Sequence, residues 1–231
     1  MRSRHRSSPW RPPSVGLTGA LSLLLAIGCT DTEARFAVRD PTGDRVQDRA
    51  AVAGALEDAP PGSTIEFAAG TYLLGGEALV VGTPGIRLRG HPDGTTLLGC
   101  TEDERAAMPI EDFWEMCNGF ILAGEGQHVS DLRFEGFGDA LAIRHPSAVD
   151  LPEREVPYTG GLMIEDNVFQ DVTSFSIRLD ADSVVLVRRN AFRNTWHALA
   201  AGGRNVHFVD NDVSVPDLSL IHISEPTRPS P

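Results

Sequence analysis

Ile164-Glu165-Asp166-Asn167-Val168-Phe169 recurs as Val187-Arg188-Arg189-Asn190-Ala191-Phe192 and again as Phe208-Val209-Asp210-Asn211-Asp212-Val213, with the asparagines 23 and 21 residues apart. A period of roughly 20 to 25 residues marks a solenoid, in which each copy is one coil that buries its apolar side only by stacking on its neighbours. Around each Asn, apolar and polar residues alternate and Val, Ile and Phe are prominent. The coil is therefore made of β-strands rather than helices.

Two weaker copies lie upstream. Val129-Ser130-Asp131-Leu132-Arg133-Phe134 has Leu132 where the others have Asn, and a further copy starts at Ile86-Arg87-Leu88-Arg89-Gly90. Asn167, Asn190 and Asn211 are expected to form an amide ladder at one corner, because Asn tolerates the left-handed backbone of a tight turn. The alternative is a ligand role for the same amides.

Ahead of the repeats stands Arg49-Ala50-Ala51-Val52-Ala53-Gly54-Ala55-Leu56-Glu57-Asp58-Ala59, a short amphipathic helix. It is followed by Pro60-Pro61-Gly62-Ser63-Thr64-Ile65-Glu66-Phe67 and Gly70-Thr71-Tyr72. With the repeats, this opening resembles the right-handed parallel β-helix superfamily, the pectate-lyase-like fold, over Asp44 to Asp217. The resemblance implies an all-β solenoid with an N-terminal capping helix that covers the raw strand edges. It also implies recognition or processing of polysaccharide, by a lyase, an epimerase or a glycosidase. The competing reading is a non-catalytic cell-surface or adhesion module, since a fold does not fix a function.

The two ends read differently from the solenoid. Residues 1–28 form an export signal: Arg2, Arg4, Arg6 and Arg11 precede the apolar run Val15 to Ile27, which is too short to span a bilayer comfortably. Leu25-Ala26-Ile27-Gly28-Cys29 resembles the bacterial lipobox, which implies lipid attachment at Cys29; an ordinary signal peptide with an incidental Cys is the alternative. A polar tether over 29–43 would then join a membrane-anchored N-terminus to the β-helix at 44–217. The expected location is the periplasm or the cell surface. Leu218 to Arg228 resembles the in-frame translation of a transposase sequencing adapter, so 218–231 is expected to be non-native and the β-helix truncated at about Asp217. About 170 residues at this period give roughly six to eight coils.

All twenty basic residues are Arg, against thirty-two Asp and Glu. Four of the arginines lie in the signal, and Arg228 and Glu225 lie in the tail, so the segment between carries a net charge near minus 16. Such a surface repels polyanions, which argues against nucleic acid as a partner. An acidic polysaccharide would need a local Arg cluster or a bridging Ca²⁺ ion. With Cys29 lipidated, Cys100 and Cys117 remain as a pair suited to a disulfide in an oxidising compartment, or as two buried thiols. Closing that loop is worth about 3 kcal/mol. Neither spacing nor nearby His suggests a metal site.

Phe175 to Leu179 and Val184 to Val187 are joined by the short turn Asp180-Ala181-Asp182-Ser183. Two earlier coils are expected to expand the equivalent turn, over Thr101 to about Gln127 and over His145 to Gly161, into loops standing side by side at one corner. Loops on a rigid scaffold are where binding residues gather. Trp114 and Tyr158 are the candidates for stacking on a sugar ring, or else form a small core that holds the loops together. Arg144, His145 and Arg178 are candidates for a lyase or epimerase, and Asp180 and Asp182 for a hydrolase. Asp139 and His197 occupy similar places in their coils. Arg144 and Arg178 align with a slip of about one residue, which in a strand exchanges inside for outside.

Overall fold

The computed structural model describes residues 33–109, 116–143, 161–179, 184–201 and 205–214, and the backbone of 222–223. Strands rich in Val, Ile, Leu and Phe are dealt in turn to three parallel sheets. The first sheet runs β1 (Arg35–Ala37), β2 (Thr64–Glu66), β5 (Arg87–Arg89), β8 (His128–Ser130), β11 (Leu162–Glu165), β14 (Val185–Arg188) and β17 (Val206–Val209). The second holds β3 (Gly70–Leu73), β6 (Thr95–Leu98), β9 (Arg133–Glu135), β12 (Val168–Gln170), β15 (Ala191–Arg193) and β18 (Asp212–Ser214). The third holds β4 (Leu79–Val81), β7 (Phe120–Leu122), β10 (Leu141–Ile143), β13 (Phe175–Leu179), β16 (His197–Ala201) and β19 (His222–Ile223). From β2 onward each strand pairs with the one three places later, and β1 adds to the edge of β2, an arrangement that fits an all-β parallel β-helix.

Register turns the repeat into columns. Ile65, Leu88, Val129, Ile164 and Val187 stack inside the first sheet, and Leu79, Phe120, Leu141, Ile177 and Leu199 inside the third. The second sheet contributes Tyr72, Leu97, Phe134, Phe169 and Phe192. The rings of Phe134, Phe169 and Phe192 stack 5.0 Å apart, one coil spacing, and Phe208 closes on Phe192 at 5.7 Å.

The bend between the first and second sheets carries the expected ladder. Asn190 Oδ1 accepts from the Asn167 backbone N–H at 3.0 Å, and Asn211 Oδ1 accepts from that of Asn190 at 2.9 Å. Each amide nitrogen donates back to the preceding coil: Asn167 to the Val129 carbonyl, Asn190 to that of Ile164 and Asn211 to that of Val187. The ladder stops at Leu132, whose N–H is met by Asn167 Oδ1 at 3.1 Å. The backbone reason expected for Asn needs correcting. The left-handed residues are those one position earlier, Asp131, Asp166, Arg189 and Asp210, with φ of 53° to 60°. They make the turn, and the Asn that follows sends its amide along the stack. Arg189 is an unfavourable residue for this conformation, but its guanidinium is held by Asp166 and Glu165 at 2.6 Å.

The opening motif caps the first coil. Helix α1 (Arg45–Asp58) starts at Asp44, whose side chain accepts from Gln47 N–H, and buries Val52 and Leu56. Asp48, almost wholly buried, accepts from Thr42 N–H at 2.7 Å and from Leu73 N–H at 3.0 Å, so it ties the helix to β3. Tyr72 is fully buried, edge-on to Phe67, and its hydroxyl donates to the Arg39 carbonyl at 2.9 Å. Gly70 has φ of +123°, and a Cβ there would meet Pro41 Cγ at 2.8 Å, so the Gly-Thr-Tyr turn demands glycine.

Helix α2 (Glu102–Ala107) lies between β6 and β7, opened by a Thr101–Glu104 capping box and joined to α1 by the Arg45–Glu104 ion pair at 2.7 Å. Cys100 and Cys117, both buried, stand at disulfide distance with Cα atoms 5.6 Å apart. The Arg45 hydrogen bond, opposed by partial burial and aided by the Thr101 N–H and hydroxyl, holds the Glu104 carboxyl down to about 2. A depressed carboxylate stabilises the fold above its ordinary value of 4.5 and loses that contribution as pH falls toward about 2. Glu104→Gln is expected to flatten the melting-temperature profile over that window and to cost about 1 kcal/mol at neutral pH, checked by thermal melts of both chains.

Candidate functional site

The two long connections do not leave one corner, as the sequence suggested. Residues 99–119 join β6 of the second sheet to β7 of the third, whereas 144–160 join β10 of the third sheet to β11 of the first. The segment read as one loop from Thr101 to Gln127 contains β7, a three-residue strand too short to show itself in sequence. The third sheet therefore lies between the two connections, and its outer face holds the site.

A cleft of about 760 Å³ runs across five successive strands of that sheet, from Glu77 beside β4 to Trp196 beside β16. At one strand spacing per coil its length is roughly 19 Å. Its floor is built largely of small or apolar residues. Val80, Ile121, Ala142, Arg178 and Ala200 form one column by register, so Arg178 rises between two alanines. Gly119 is required in this floor, since a Cβ there would meet the Ala140 carbonyl oxygen at 2.2 Å.

Arg178 Nη1 lies 3.6 Å from Asp139 Oδ2, and the guanidinium carbon sits 5.9 Å from the centroid of the Phe175 ring. Asp139 Oδ1 accepts from the Phe175 backbone N–H at 3.3 Å. His197 stacks obliquely on Phe175 with centroids 4.9 Å apart, and its buried Nδ1 has no hydrogen-bond partner. Beside it the Trp196 side chain is 62% exposed, an uncommon cost for so large an apolar ring.

Arg178, Asp139 and His197 are thus brought together, with His197 opposite Phe175 in the pairing of β13 and β16. The alignment of Arg144 with Arg178 is corrected: Ala142 stands opposite Arg178, because the slip is two residues rather than one. Arg144, His145, Asp180, Asp182, Trp114, Tyr158 and Cys29 lie outside the described residues. Trp196, Phe175 and Glu77 were not selected from sequence. An exposed Trp beside a turn His was the available signal for the first, while the others converge only through coil stacking.

The outer face of the first sheet offers a second, smaller hollow of about 170 Å³, lined by residues that include Arg35, Arg87, Arg89 and His128. Its charges are matched. Arg35 pairs with Glu66 and Arg87 with Glu33, at 3.2 and 2.8 Å. Farther along, Glu165 accepts from Arg188 and Arg189 at 2.6 Å. His128 Nε2 stands 3.0 Å from Glu165 Oε1 without hydrogen-bond geometry, so the contact is electrostatic. Burial raises the Glu165 carboxyl, but the Arg188 hydrogen bond and the charges of Arg188 and His128 outweigh it and hold the group below its ordinary value. This face is an ion-pair ladder that braces the coils.

Among the described residues no group of three or more His, Cys, Asp or Glu is arranged to hold a metal ion, and no helix is long and apolar enough to cross a membrane. No family model, characterised protein or solved structure matches the chain.

Proposed function

We propose that the chain is an exported, lipid-anchored member of the right-handed parallel β-helix superfamily that recognises or processes polysaccharide in the cleft of the third sheet. The exposed Trp196 at the end of an extended, open cleft carries this reading, since a flat apolar face with a polar edge suits the face of a sugar ring. Asp139, Arg178 and His197 supply groups that hydrogen-bond hydroxyls. The export signal and the anchor at Cys29 are proposed from the sequence.

A specific contact supports a second reading, binding without catalysis. The Asp139 carboxylate is engaged by Arg178 at 3.6 Å and by the Phe175 N–H at 3.3 Å, contacts that suit a residue fixed for binding. A non-catalytic binding module is therefore the second reading.

A glycan panel tests both. Reducing-sugar release and the absorbance of unsaturated products report catalysis, and isothermal titration calorimetry reports binding. Trp196→Ala is expected to weaken binding about tenfold with the melting temperature retained, and Arg178→Ala to weaken it at least as much. Turnover that survives Arg178→Ala and Asp182→Ala would confirm an enzyme and dismiss these residues as its catalytic groups.

A further inference from the structure

We infer that the cleft of the third sheet takes an uncharged glycan and discriminates against uronate chains, with the Asp139–Arg178 pair as the specificity-determining element. This inference rests on the glycan reading of the cleft. It comes from the way the charges there are already matched.

Among the described residues, two carboxylates line the cleft, Asp139 and Glu77, and each has an arginine nearby. Asp139 faces Arg178 at 3.6 Å. At the other end, Arg49 donates to the Glu77 carbonyl oxygen at 2.8 Å and lies within electrostatic reach of the Glu77 carboxylate. Arg178 is engaged by Asp139 and by the Phe175 ring among its partners. A uronate carboxylate entering beside Arg178 would have to compete with Asp139 for the guanidinium and would meet a like charge in doing so. Juxtaposed like charges discriminate strongly against the wrong ligand. A neutral sugar meets no such opposition. Its hydroxyls both donate and accept, so they bridge the carboxylate and the guanidinium together.

The wider field acts in the same direction. The segment between the signal and the tail carries a net charge near minus 16. A polyanion would be repelled on approach, and repulsion of this kind is screened by salt. The alanines on either side of Arg178 leave room for ring and hydroxymethyl groups without adding charge.

The test compares full-chain binding to a panel of uncharged oligosaccharides and to uronate oligosaccharides, in about 0.05 and about 0.5 M salt. Uncharged ligands are expected to bind with a dissociation constant insensitive to salt, and uronates to bind more weakly than these at both concentrations, with a smaller deficit at the higher one, where the repulsion is screened. Asp139→Asn keeps the oxygen that accepts the Phe175 N–H but removes the charge that occupies Arg178. It is expected to raise uronate affinity about tenfold while the melting temperature holds. Should Asp139→Asn fold poorly, Arg178→Gln provides a second measurement, expected to weaken binding of uncharged ligands without creating uronate binding. Uronates bound by the unmodified chain as tightly as uncharged sugars would overturn the inference and leave the glycan reading standing. Binding of no glycan of either kind would overturn both.

Discussion

Phe169→Ala is expected to destabilise the fold by about 3 to 5 kcal/mol, the range for emptying a fully buried aromatic site. Phe169 is fully buried, with Phe134 and Phe192 each stacked 5.0 Å from it. A neighbouring ring cannot collapse into the gap without leaving its own coil, since the backbone spacing is set by the strand ladder. The cavity should therefore persist, and the cost should lie at the upper end. Phe208, half-buried at the edge of the first sheet and in contact with Phe192, provides the comparison. Phe208→Ala is expected to cost about 1 to 2 kcal/mol, because that site is already partly open to water. Denaturant unfolding of the full chain measures both. Equal losses would mean that the stack does not act as one continuous core. Coils contact mainly their neighbours, so unfolding of a solenoid need not be two-state, and hydrogen exchange should show which coils open first.

The second large effect is expected from Asn190→Ala, at about 3 kcal/mol. The side chain accepts from the buried Asn167 N–H and from its amide, and donates to the carbonyls of Ile164 and Arg188. Alanine leaves those buried groups unmet, at about 1 to 3 kcal/mol for each that finds no water. Asn190→Asp separates the two halves of the interaction: the acceptor remains, the donors are lost, and a charge is placed against two carbonyls. It should be no better than alanine. Asn211→Ala, in a more exposed coil, should cost about 1 kcal/mol. A flat response across the ladder, measured by the same unfolding experiment, would show that water replaces the amides freely and that the ladder contributes little.

The parts of this fold legible in sequence are those that repeat. The Asn period gave the coil, and the alternation around it gave the strands of the first and second sheets. Leu132 could be placed at the head of the ladder because the flanking Asp131 and Phe134 kept the pattern. The Gly-Thr-Tyr opening was equally readable, because Tyr72 and Gly70 each answer a local steric demand. In the third sheet β13 was readable at its bounds, Phe175–Leu179, but β7 was missed. Its strand β7 is three residues long and follows a connection of variable length, so no fixed spacing announces it. Without β7, the two long connections were read as leaving one corner; a separate two-residue slip between β10 and β13 set Arg178 against Arg144 rather than Ala142. Sequence also misplaced the left-handed residue by one position: Asp and Asn both tolerate that conformation and stand side by side at Asp166-Asn167 and Asp210-Asn211, so residue type alone does not choose between them.

The site was legible only where a single residue was unusual. His197 and Arg178 stood out as ionisable groups within apolar strands, and both line the cleft. Glu77 and Trp196 share that cleft although 119 positions separate them, a proximity that only stacking of coils produces. The charge pairing behind the proposed ligand class lies in a contact between coils, Asp139 with Arg178, and no count of acids and arginines along the chain reveals it.

A crystal structure of the full chain soaked with the tightest-binding glycan of the panel tests the assignment of the cleft most directly. Sugar rings are expected along the outer face of the third sheet, with one against the Trp196 indole and hydroxyls within hydrogen-bond distance of Asp139 and Arg178. Rings bound instead on the ion-paired face of the first sheet, with the third-sheet cleft left to solvent, would contradict it.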